Sequence, residues 1–476
     1  MDRQHFSPYD SVTYIWRTLE LPEEALKSLL LIDDARCLSS SFKADHLAQA
    51  TIALSALAAA LFHSIRQQTF VPRVTVPMEH ACVEFKSERL YMLNGKPAPS
   101  SWSTIGGLHK TSDGYVRMHD VFPNHRANSL RILGLGKDAS REDVAKELMS
   151  WKSVDIETEA FKEGAVIAAL RSFEEWDAHQ QAQSISDFPI TLCMLAAAEN
   201  CIPPIPPTMP NDKCLRGVRV VEMSRVIAAP VAGKTLAAHG ADVIWVTSPK
   251  LPNLPDLDRD LARGKRTVQL DVRQPQDKAK LLELLRTADV FIQSYRPRSL
   301  AEHGLSIREL TTLNPTLVMA NLSAYGPDGP WSRNRGFDSL VQTCSGINVA
   351  DANQHGAGEP ARVLPCQAFD HGAGYLLATG ILAALYKRST AGGAYEVQVS
   401  LAGVMKYMRS LGQYPGRSGF ERRNFTKPEE VAQYLETRST EFGELQAVKH
   451  SAIVEGLSPG WDIMPKPLGS DDAVWL

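Results

Sequence analysis

LRGVRVVEMSRVIAAPVAGKTLAAHGADVIWVT, residues 215–247, sets up the alternation that decides the fold. Residues 215–222 are a Val-rich run expected to form a buried strand, 224–230 a turn of small residues, 231–239 a helix and 241–247 the next strand. The rhythm continues through ARGKRTVQLDV (262–272), a helix over 274–287, ADVFIQS (288–294) and TLVMANLSAYG (316–326). Strands alternating with helices imply an α/β domain with a Rossmann-like parallel sheet and ligands at the carboxyl ends of its strands. The first loop lacks G-x-G-x-x-G and no P-loop follows, which speaks against NAD. Its bare backbone around Val226, Ala228 and Pro230 opens a helix and can hold a phosphate or pyrophosphate. Arg225, Arg263, Lys265, Arg266, Arg296 and Arg298 lie close to strand ends. Any one of them reads as surface charge, but their recurrence favours an anionic ligand such as a nucleotide diphosphate.

Downstream, LPCQAFDHGAGYLLATGILAALYKR (364–388) puts Asp370 at the mouth of a small-residue, apolar helix. A carboxylate there is read either as an N-cap or as a reactive group held at the positive end of the helix dipole. The element has a second copy. KADHLAQATIALSALAAALFHSIR (43–66) also carries Asp-His at the head of an Ala/Leu helix, and each helix leads through a turn into an alternating strand and another helix. Asp45 and Asp370 are 370 − 45 = 325 residues apart, a spacing that implies a duplicated domain element rather than a solenoid repeat. Asp45 is expected to cap its helix, and no α/β half precedes it.

Composition bounds the rest. A chain of 476 residues with 44% hydrophobic and 22% charged residues is expected to hold two or three globular domains. A formal net charge of −3, without basic runs, argues against nucleic acid. Seven scattered cysteines suggest reduced thiols in a cytoplasmic protein, with neither a disulfide frame nor a metal site. The start lacks a secretory signal, and the apolar run 48–62 is too short to span a bilayer, so no membrane partner is expected. The expected organisation is 1–92, a partial duplicate of the Asp-helix element; 93–190, a small α+β domain with IGG at 105–107 and a turn at Asp113-Gly114; 191–214, a Pro-rich linker containing CIPPIPPTMP; 215–410, the α/β domain; and 411–476, a return segment and tail.

Seven ordered blocks, from 215–247 through RGKRTVQLD, ADVFIQSYRP, LAEHGLS, NPTLVMANLSAYGPDGPW and GFDSLVQTCSG to the Asp370 helix, resemble the class III CoA-transferases, a group that also contains acyl-CoA racemases. The resemblance covers about 215–405 closely. It implies a class III CoA-transferase fold, Asp370 as nucleophile, acyl-CoA and a carboxylic acid as substrates, no permanently bound cofactor, and CoA contacts from Arg225, Val226, Ala228, Pro230, Lys265, Arg266, Tyr295 and Arg296. Two basic positions used by relatives are Ser248 and Ser323 here, so CoA contacts are either redistributed or weak, and besides a racemase or lyase on the same scaffold a non-catalytic CoA-binding or structural homologue is the alternative. Racemases typically carry His where this chain has Phe337, and Phe337 cannot move a proton, which favours transfer. In relatives the Asp helix is followed by a lid with a glycine-rich loop. Here the lid-like segment, with Gly106 and Gly107 as its oxyanion candidates, follows Asp45 instead. A fused, trimmed pair of copies is the expectation, with 93–190 closing over Asp370 from the same chain or from a partner in a homodimer.

Overall fold

The computed structural model describes residues 2–32, 37–99, 104–196 and 212–476. Its centre is a seven-stranded sheet in the order Lys265–Gln269, Asp242–Thr247, Arg219–Met223, Val290–Gln293, Val318–Ser323, Ala394–Ser400, Ile190–Ala196. The first six strands run parallel and the last is antiparallel. Val220, Val221, Ile244, Val246, Ile292 and Val318 are fully buried because both faces of the sheet are covered, which is why these strands read as continuous apolar runs. Arg219–Met223 has later strands on both sides, so the chain reverses direction beside it. The loops leaving Met223 and Gln293 therefore part and open a crevice at the carboxyl edge.

One boundary differs from expectation. Residues 190–196 form the antiparallel edge strand rather than the start of a linker, since ITLCMLA is apolar enough to pair along Ala394–Ser400. The Pro-rich run 201–210 lies outside the described residues.

The two Asp-headed helices are Ala44–Gln67 and Ala368–Ala391, 24 residues each, and they pack against one another. Each is long and apolar enough to cross a membrane, so the shorter span read from 48–62 underestimates the first, but both are buried within the protein. Their crossing is close. A Cβ at Gly372 would meet Leu47 Cδ2 and Val404 Cγ1 at 3.1 Å, and one at Gly374 would lie 2.5 Å from the Ala228 carbonyl. The surroundings also match. Val74–Pro77, after the first helix, pairs parallel with Leu29–Ile32 and antiparallel with Ile453–Val454. Ala394–Ser400, after the second, pairs parallel with Val318–Ser323 and antiparallel with Ile190–Ala196. Each helix thus receives its antiparallel strand from the far half of the chain.

The segment between these halves is a small module. Gly107–Lys110, Tyr115–Met118 and Ile167–Ala169 form an antiparallel sheet over a core that includes Ile105, Val116, Leu130, Val144 and Ile156. It leans on the α/β body through Arg117, whose Nε donates to Thr343 Oγ1 at 3.0 Å, and through His119, stacked on Phe337 with ring centroids 4.0 Å apart.

Asp45 is enclosed. Its carboxylate pairs with Arg422 at 2.5 Å, accepts from the Tyr414 hydroxyl at 2.8 Å and from its neighbour His46 N–H at 2.8 Å. It is therefore more than the simple cap expected. Removing one charge of a buried pair strands the other, so Asp45→Asn is expected to lower unfolding free energy by about 3–5 kcal/mol in denaturant titration, more than loss of a cap alone.

Candidate functional site

Asp370 stands third in its helix, at the carboxyl edge of the sheet, yet it does not cap that helix. The cap is Asp338, whose Oδ2 accepts the N–H groups of Phe369 at 2.8 Å and Asp370 at 3.0 Å. Its other oxygen accepts from Gln342 Nε2. Gln342 in turn accepts from Leu364 N–H at 3.0 Å and Asn348 Nδ2 at 3.1 Å, so the capping carboxylate is itself braced. Sequence reading quoted Asp338 within GFD without giving it this task. Relieved of capping, the Asp370 carboxylate has no hydrogen-bond partner among the described residues. It is 6% exposed and faces two cavities.

The first cavity, about 260 Å³, lies in the crevice beside Arg219–Met223. Arg225, Val226, Ala228, Tyr295 and Arg296 line it, joined by Arg335, His125 and Ser323. Val226 is held at φ 71°, a left-handed conformation that a β-branched residue rarely adopts and that turns the loop towards Asp370. Burial, then the charges of Arg335, Arg225 and Arg296, push the His125 pKa down to about 4. Those arginines have no ion-pair partner among the described residues, and Asp370 is the one acid lining the cavity. A neighbouring cavity of about 320 Å³ continues along the strand ends, with Arg225, Thr247, Ser248 and Gln269 on its wall. Ser248 and Ser323 thus occupy ligand-facing positions although neither is basic; Arg335 supplies positive charge in their place. Its position beside the GFD block was visible in the sequence, but its convergence with Arg225 and Arg296 is tertiary.

The second cavity, about 350 Å³, lies on the other side of Asp370. Glu88 and Arg89 from the N-terminal part, His119 and Val121 from the small module, and Val226, Leu257 and Phe337 from the α/β domain meet there. The 93–190 module therefore covers Asp370 from within the same chain.

Five expected residues lie elsewhere. Lys265 and Arg266 open their strand and so sit at the amino end of a parallel sheet, away from the ligand edge. Lys265 is buried against Glu222 at 2.9 Å and the Pro230 carbonyl at 2.8 Å, while Arg266 grips Asp242 at 2.8 Å. Pro230 is buried in the first turn of its helix and lines neither Asp370 cavity. Gly106 and Gly107 also line neither; Gly107 begins the outer strand of the module and Gly106 precedes it, and Arg141 donates to the Gly106 carbonyl and to the Leu108 carbonyl.

Burial raises the Asp370 pKa well above the usual carboxylate range, and the nearby charges of Asp338 and Glu88 add to it against Arg89. Burial likewise takes Asp338 up to about 6, opposed by Gln342 and the two backbone N–H groups. Like charges disfavour ionisation, so removing one eases ionisation of the other. In Asp338→Asn, whose amide oxygen still accepts the two N–H bonds, the Asp370 pKa is expected to fall, as read by carbon NMR of labelled carboxylates.

Residues 215–432 match the model of CoA-transferase family III. Relatives include an acyl-CoA transferase of Gibberella moniliformis, 30% identical over 62% of this chain and 54% of that protein, and a probable fatty acyl-CoA transferase of Mycobacterium tuberculosis, 34% identical over 41% and 52%. A succinate–glutarate CoA-transferase of Agrobacterium fabrum is 33% identical over 41% and 53%. A crystal structure of a hypothetical protein of Mycobacterium tuberculosis covers 40% of this chain and 56% of that one at 33% identity, with a TM-score of 0.37. The chain spans about half the length of the curated relatives it matches. The matched stretch, the α/β part that carries the arginine-lined crevice and Asp370, is thus similar to CoA-transferase family III.

Proposed function

We propose that the chain is an enzyme that moves CoA between an acyl-CoA donor and a carboxylic acid acceptor, with Asp370 as nucleophile. One observation carries this reading: a buried carboxylate, freed from capping by Asp338, stands between an arginine-lined crevice and a largely apolar cavity. The crevice suits the phosphates of CoA, through Arg225, Arg296 and Arg335. The Asp370 carboxylate attacks the acyl carbonyl and the C–S bond breaks, giving a mixed anhydride and CoA thiolate. The thiolate attacks the aspartyl carbonyl, displaces the donor acid and leaves an aspartyl thioester. The acceptor carboxylate attacks that thioester to form a second anhydride, and the thiolate takes the acceptor's acyl group, releasing Asp370. No metal or permanently bound cofactor enters these steps.

Developing negative charge needs donors, and Gly106 and Gly107 line neither cavity. Ala228 and Ala229 begin a helix whose N-cap, Ile227, makes no side-chain cap, and both line the crevice with Asp370. Their N–H groups take the oxyanion role. The small module excludes water that would hydrolyse an anhydride.

Two Asp-headed helices with matching strand surroundings fit a duplicated, fused pair in which each half lends the other its antiparallel strand. The homodimer expected from the family likeness is then replaced by one chain, working in the cytoplasm where thiols stay reduced. A second reading, racemisation beside a thioester, gains from His119, which lines a cavity with Asp370. Burial, then His125, pushes the His119 pKa down to about 3, which makes it a poor base at neutral pH and favours transfer.

Asp370→Asn keeps the side chain's size and removes the nucleophile. It is expected to fold normally and to lose CoA transfer by more than about a thousandfold in an acyl-CoA exchange assay. Transfer at the parental rate would overturn the reading.

A further inference from the structure

The cavity on the far side of Asp370 is a wall of mostly apolar side chains with one cation. Val121, Val226, Ile227, Leu254, Leu257 and Phe337 supply most of its apolar surface. Of its polar groups, Glu88 holds His371 at 2.9 Å and Gln367 accepts from Arg89 Nη2 at 3.0 Å, while His119 and Thr426 complete the polar lining. Arg89 spends its Nε on Glu88 at 3.1 Å, and its side chain keeps 38% exposure. Among the described residues its Nη1 has no partner, and its charge acts on Asp370. About 350 Å³ is within the range of small-molecule sites.

We infer that this cavity binds the acyl part of the substrate and that the acceptor is a monocarboxylic acid with an apolar body, its reacting carboxylate docked on Arg89 beside Asp370. This inference rests on the transfer reading and names the substrate class of the same site. An acceptor carboxylate approaching Asp370 also approaches Asp338 and Glu88, so without a cation it would be repelled. Arg89 offsets that repulsion and can hold one oxygen through its spare N–H groups while the other attacks the aspartyl thioester. The C–S bond then breaks and the thiolate leaves. The thiolate next attacks the acceptor's carbonyl, and the bond to the Asp370 oxygen breaks. A second carboxylate inside the cavity would find no second Arg or Lys in its lining, which disfavours dicarboxylic acids. Arg89 also gives the N-terminal part of the chain a task at a site whose nucleophile lies in the other half.

The test is calorimetric titration of the full chain with hexanoate, phenylacetate and glutarate, without CoA, so that binding is read apart from turnover. Hexanoate and phenylacetate are expected to bind, and glutarate at least about tenfold more weakly, a difference of about 1.4 kcal/mol. Arg89→Met is expected to weaken both monocarboxylates by about tenfold or more, with part of the loss restored in Arg89→Lys. Leu257→Trp, which fills the cavity, is expected to abolish phenylacetate binding. CoA binding, measured the same way, should persist in all three variants and reports that they are folded. Tighter binding of glutarate, or unchanged monocarboxylate binding in a folded Arg89→Met protein, would overturn the inference. Monocarboxylate binding with the expected pattern but no transfer from any acyl-CoA would leave the pocket assignment standing and remove the transfer reading.

Discussion

The two hydrogen bonds from Phe369 and Asp370 N–H to Asp338 Oδ2 organise the site. The first turn of a helix has N–H groups that need acceptors, and an acid at its head would ordinarily serve as one. Because a carboxylate from a different helix does so, both Asp370 oxygens stay without a hydrogen-bond partner among the described residues, as the proposed reaction requires. The arrangement also places like charges together in a buried place, which keeps the Asp370 proton affinity high. A more basic carboxylate is a better nucleophile once ionised, and Arg89 favours that ionised form.

Close helix packing enforces the same geometry. Gly374 lets the helix Ala228–Ala238 approach the Asp370 helix, and Gly372 lets the Asp45 helix do so. The acid at the head of the Asp45 helix is held differently. Arg422 and Tyr414 close around its carboxylate. What that part still contributes is structural support, a wall with Glu88 and Arg89, and the small module that follows it.

Much of this was legible in the sequence because it depends on local period. The strands of the parallel sheet, the two Asp-headed helices and the hairpin at Asp113-Gly114 all follow from runs of a few residues. The errors arise where direction or distance decides. RGKRTVQLD shows basic residues next to a strand, but Lys265 and Arg266 begin that strand, so a parallel sheet carries them to the edge opposite the ligand. ITLCMLA, read as linker because prolines follow it, finds its partner about two hundred residues later in Ala394–Ser400. The glycines at 106 and 107 look like a glycine-rich lid loop, yet the module presents His119, Val121, Phe122 and His125 instead. Arg335 and Arg89 reach the site from segments far apart in the chain, and periodicity carries no information about such meetings.

The path of one oxygen atom tests the central claim most directly. If Asp370 is the nucleophile, the oxygen by which an acceptor acid attacks the aspartyl thioester stays on Asp370 when the thiolate removes the acyl group. After turnover with an acceptor carrying heavy oxygen in its carboxylate, peptide mass spectrometry should find labelled oxygen in the side chain of Asp370 and none in that of Asp45. Transfer that proceeds with Asp370 unlabelled would contradict the account.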